Sequence, residues 1–120
     1  MTAKNSELLT RDIKLLALSQ RYKETFSQAE RLQAAEDRLY PHRADRKREY
    51  ARASDRTGQE WGGVSEIERQ IVATPANTFA GIAIKLRIAA AEIPKDAHDL
   101  NDLAVLNALA DAERLAGNVL

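Results

Sequence analysis

A chain of 120 residues has room for one continuous hydrophobic core and little more, so a single domain is the expectation. It contains no cysteine, which excludes a disulfide framework and any thiolate-bound metal. Eighteen basic and eighteen acidic side chains cancel, which leaves no global attraction to nucleic acid or to a membrane surface.

From Ser6 to about residue 40, Leu15, Leu18, Tyr22, Phe26, Ala29, Leu32 and Leu39 recur at steps of three or four, close to a coiled-coil heptad. Leu8, Leu9, Ile13 and Leu16 widen the stripe at its start, and no glycine or proline interrupts it. The pattern predicts one long helix over residues 6–40. Pro41 lacks an amide proton and disfavours helical backbone at Tyr40, so a turn follows.

A second helix is expected over residues 44–73, where Tyr50, Ala53, Thr57, Trp61, Val64, Ile67 and Ile71 keep a helical period through Gly58, Gly62 and Gly63. Three interior glycines cost about 1 kcal/mol each relative to alanine, so a compensating close approach or a kink is expected at 58–63. A capping-box pattern at Ser65-Glu66-Ile67-Glu68 supports the alternative of a break and a fresh start. The unbroken phase of the apolar period favours the continuous arm, with Trp61 facing the core.

Thr74-Pro75 ends that arm. A third helix is read over 75–93, with Phe79, Ile82, Ala83, Leu86, Ala90 and Ile93 on its inner face. A fourth is read over 97–116, with Asp96 as N-cap and Gly117 as C-cap. The fold class is therefore all-α, a long antiparallel helical hairpin followed by a short C-terminal one.

The residues Ile71-Val72-Ala73-Thr74-Pro75-Ala76-Asn77-Thr78-Phe79-Ala80-Gly81-Ile82-Ala83-Ile84-Lys85-Leu86, with Ala108 to Leu115 further on, carry a resemblance. Their pattern, I-x-A-T-P-A-x-T-x-A-G-x-A-x-K-L, resembles a group of small, uncharacterised bacterial helical proteins of prophage or mobile-element type, which also place a long charged helical segment before it. Phe79 and Ile82 stand where that group is expected to have Leu. The resemblance covers about the C-terminal third and implies a helical fold, with no activity attached.

Within that segment Thr74 and Thr78 are suited to cap a helix, Pro75 to set a bend and Gly81 to allow close packing. The functional alternative is an anion held by the free amides and the Thr and Asn side chains at the helix start. The chain is most basic at 38–56, with seven Lys/Arg against three acids. Arg43, Arg46, Lys47, Arg48 and Arg52 are the candidate phosphate contacts there, and Tyr40 and Tyr50 are candidates to stack on exposed bases. The interspersed acids fit a solvated, ion-paired helix better. His98 and Asp102 have metal-ligand spacing on a helix, but two residues make no site, so no metal and no cofactor are expected. Two histidines without a paired nucleophile give no catalytic constellation, and no enzyme is expected.

Residues 1–56 carry 13 basic against 9 acidic side chains, and residues 57–120 carry 5 against 9. Opposite halves suit either pairing within one chain or the head-to-tail joining of two, so the asymmetry names no foreign partner. A two-helix arm buries only a narrow seam, so a homodimer or another protein partner is expected on Leu15, Leu18, Tyr22, Phe26, Leu32 and Trp61. Binding of nucleic acid through the basic region is the alternative. The polar start, and charges within the apolar stretch 79–93, lead to the expectation of a cytoplasmic protein without a membrane span.

Overall fold

The computed structural model describes residues 11–117. Among them are α1 (Ile13–Leu39), a 3₁₀ turn (Tyr40–His42), α2 (Lys47–Ala73), α3 (Phe79–Ala90) and α4 (Leu100–Ala116), with no strand. The all-α class and the order of a long hairpin followed by a short one agree with the sequence pattern. Residues 6–10 of the expected first helix lie outside the described residues. At Asp12 the chain bends, and the Asp12 carbonyl accepts the first helical bond of α1 from Leu16 N–H at 2.9 Å. The described residues fall into two compact units, one formed by 11–19 with 70–117 and the other by Gln20–Arg69.

In the 20–69 unit, α1 and α2 run antiparallel about the turn at 40–46. The rings of Phe26 and Trp61 meet edge to face at 5.2 Å between centroids, and the Trp61 indole N–H donates to Gln33 Oε1 at 3.3 Å. Trp61 thus faces the partner helix, as its phase requires. Ala29, Thr57, Val64 and Ile67 are the buried residues of this seam. Thr57 satisfies its hydroxyl by donating to Ala53 C=O at 2.9 Å.

Helix α2 is unbroken from 47 to 73, so the capping-box pattern at Ser65 starts nothing. The expected close approach at the glycines is not what sustains it. A Cβ at Gly58 or Gly62 would meet nothing within 4 Å, and one at Gly63 would touch only Thr25 Cγ2 at 3.8 Å. Buried Thr57, Val64 and Ile67 hold the helix across them instead, since tertiary burial outweighs a propensity cost of about 1 kcal/mol per glycine.

In the unit of 11–19 with 70–117, Leu15, Leu18, Ile71, Ala80, Ala83, Ile84, Ala112 and Ala116 are buried. Small residues dominate the α3 and α4 share of this core, which lets backbones come close: Ala80 packs with Ala116, and Leu16 covers the pair. Arg87 and Glu113 join α3 to α4 by an ion pair at 2.5 Å.

Both C-terminal helices start later than the sequence suggests. Helix α3 begins at Phe79 rather than 75, because Pro75 to Asn77 are non-helical and Thr78 takes the extended cap conformation. It ends at Ala90 rather than 93, where Pro94 disfavours helical backbone before it. Helix α4 begins at Leu100 rather than 97. Asp99, not Asp96, is its N-cap, accepting from Asn101 and Asp102 N–H at 2.8 and 3.3 Å, because a turn closed by Ala97 N–H on Pro94 C=O occupies the intervening residues. Gly117 closes α4 at φ 73°, a conformation that glycine adopts without strain.

Candidate functional site

The Thr74–Gly81 segment carries a connected polar network, and the group at its centre is Asp12. The Asp12 carboxylate is 3% exposed. Its Oδ1 accepts Asn77 N–H at 2.8 Å and Asn77 Nδ2 at 3.3 Å, while Oδ2 accepts the Thr78 hydroxyl at 2.5 Å. Asn77 Nδ2 also donates to Arg11 C=O at 2.9 Å. The Thr78 Oγ1 in turn accepts Gly81 N–H at 3.0 Å, the N-cap bond of α3. A helix start is a natural seat for negative charge. Here the chain's own carboxylate takes that seat, so the segment is a clamp between Asp12 and α3.

The rest of the pattern fits the same clamp. A Cβ on Gly81 would collide with Asp12 Oδ2 and stand 2.8 Å from its Cγ, so glycine at 81 is what makes room for the carboxylate. Thr74 donates to Gln70 C=O at 2.7 Å, and Lys85 Nζ donates to Thr74 C=O at 3.0 Å, tying the bend to α3. Ile71, Ala80 and Ala83 are core residues. Sequence reasoning missed Asp12 because the apolar period runs past it from Leu8 to Leu15. The available signal was an acidic N-cap type immediately before Ile13.

The clamp also fixes which face of α3 is buried. Gly81 must point at Asp12, which turns Ala80, Ala83 and Ile84 inward and leaves Phe79 50% and Ile82 41% exposed. The expected inner face is corrected accordingly. This helix is apolar almost all round, so its periodicity could not choose.

Of the six residues expected at a partner interface, Leu15 and Leu18 are enclosed in the core of their own unit, which removes them as contacts for another chain. Tyr22, Phe26 and Trp61 are half-buried: the Tyr22 ring meets Phe26 at 5.8 Å, and Phe26 meets Trp61. Leu32 lines an open groove of about 450 Å³ with Ala35, Leu39 and Ala53. An exposed apolar row lies elsewhere, on α4, where Leu100, Leu103 and Leu106 are 81%, 38% and 38% exposed.

The basic candidates Arg43, Arg46, Lys47, Arg48 and Arg52 are all exposed. Arg43 lies over the Tyr40 ring at 3.9 Å and donates to Tyr40 C=O at 2.8 Å. Tyr40 and Tyr50, the two rings expected to stack on bases, pair with each other at 6.1 Å, and Tyr40 stays half exposed. Arg46 approaches Glu49 at 4.0 Å. His98 precedes α4 and does not share a helix face with Asp102. Among the described residues no group of three or more His, Asp or Glu is placed to hold a metal ion. No helix among them is long and apolar enough to cross a membrane.

No protein-family model, curated protein or solved structure matches the chain.

Proposed function

We propose that this chain is a non-catalytic helical interaction protein, an accessory of mobile-element type, that binds a protein partner through α4. The exposed row Leu100, Leu103 and Leu106 supports this reading. Leucines repeating every three residues on a solvent-facing helix surface are the chemistry of a helix that docks on an apolar groove. The polar groups that would otherwise offer an anion site at the start of α3 serve the internal clamp.

A photo-crosslinking side chain at Leu103 of the full chain, expressed in its native host, tests the proposal. The expected result is a discrete adduct whose second component is identified as a protein by mass spectrometry. The same group at exposed Lys23 on α1 gives the background. Labelling at Leu103 no stronger than at Lys23 overturns the reading.

A further inference from the structure

The groove between α1 and α2 in the 20–69 unit has a floor of half-buried side chains: Leu32 and Leu39, with the smaller Ala35 and Ala53 recessed between them. Along its α2 rim stand Arg48, Arg52 and Arg56, one per helical turn. The row extends for about 12 Å at 1.5 Å per residue. All three are exposed and make no ion pair or hydrogen bond within the described residues. Glu49, the one carboxylate at that rim, faces Arg46.

The chemistry of this groove specifies its occupant. A nucleic-acid strand would meet the arginines but would lay charged phosphates over the apolar floor, whereas an acidic amphipathic helix satisfies floor and rim together. This chain carries such a helix. Residues 96–113 include five carboxylates with no Lys or Arg among them; Asp99 caps α4, Asp111 pairs with Arg114 and Glu113 with Arg87, which leaves Asp96 and Asp102 beside the exposed Leu100, Leu103 and Leu106. We propose that the groove of one copy receives α4 of a second copy, leucines against the floor and Asp96 and Asp102 toward the row of Arg48, Arg52 and Arg56. The inference rests on the interaction reading above and names the partner as a second copy of this chain. Such a contact joins unlike surfaces, so each copy offers one groove and one helix.

The test is complementation between two full-length variants, followed by light scattering and sedimentation. R48E/R52E/R56E disables the groove and keeps α4. L100E/L103E disables α4 and keeps the groove. Far-UV circular dichroism checks that each keeps its helix content, and R48Q/R52Q/R56Q serves as the milder groove variant. The expected wild-type result is self-association that rises with concentration and falls with salt. Each variant alone should be weakened by roughly a hundredfold, as expected for reversed charge or buried carboxylate at a contact. Mixed, they should form a one-to-one pair, since only one intact groove and one intact helix remain.

A wild-type protein that stays monomeric at about 100 μM in low salt, where even a weak micromolar contact would be populated, overturns the proposal. So does wild-type association without pairing of the mixed variants. A nucleic-acid shift lost in R48Q/R52Q/R56Q, with a monomeric wild type, also overturns it and assigns the arginine row to phosphate. A monomer whose Leu103 still crosslinks a different protein overturns self-docking while leaving the interaction reading in place.

Discussion

Replacing Gly81 by alanine should reverse the usual effect of that substitution in a helix. In an unconstrained helix interior it stabilises by about 1 kcal/mol. Here the new methyl occupies the place of Asp12 Oδ2, with Cγ at 2.8 Å and Ala76 Cβ at 3.2 Å. The carboxylate must leave, and it leaves the two short bonds from Asn77 N–H and the Thr78 hydroxyl, with the longer one from Asn77 Nδ2, which keeps its bond to Arg11 C=O. Hydrogen bonds to a charged group are worth about 1.5–3 kcal/mol each, so losing two and regaining water at the freed carboxylate costs roughly 3 kcal/mol. After the helix gain the net loss is about 2 kcal/mol, or roughly 8 °C at about 4 °C per kcal/mol. The decisive comparison is G81A made in the D12A background. With the carboxylate gone, the methyl enters vacated space and should stabilise by about 0.5–1 kcal/mol, giving opposite signs in the two backgrounds. Urea unfolding of the four proteins, followed at 222 nm, measures both effects. G81A as stable as the parent, or an equal loss in both backgrounds, refutes the clamp.

Thr78→Ala removes both the cap bond to Gly81 and the hydroxyl bond to Asp12, and a loss of roughly 2–3 kcal/mol is expected; Thr78→Ser keeps both and should lie within about 0.5 kcal/mol of the parent. Gly58→Ala with Gly62→Ala should raise stability by about 1–2 kcal/mol in total, because neither methyl meets a neighbour; an unchanged or lower melting temperature counts against the open environment described for α2. Trp61→Ala should cost about 2 kcal/mol, less than for a fully buried tryptophan, through loss of the Phe26 contact and the bond to Gln33; a loss below about 0.5 kcal/mol in chemical denaturation would place Trp61 outside the seam.

The helices were legible in the sequence wherever one face alternates strongly with the other. The seam residues Ala29, Val64 and Ile67 could be read from their spacing, and the three glycines did not disturb the phase. What spacing could not supply was α3. A helix apolar on nearly every side can be rotated at almost no cost to its hydrophobic pattern, and the choice fell to one carboxylate 69 positions away from Gly81. The helix starts at 79 and 100 were hidden for a related reason. Thr74 and Thr78, like Asp96 and Asp99, are equally good caps in isolation, and the tertiary bond to Asp12 and the turn after Pro94 select between them.

All three tyrosines and the single tryptophan fall between positions 20 and 69. The other unit, whose one described aromatic is Phe79, is therefore almost dark at 280 nm. Intrinsic emission consequently watches the hairpin alone, while far-ultraviolet dichroism sums over both units. A lag between the two signals during denaturation would show directly whether the clamp region melts before or after the arm, without any label being attached.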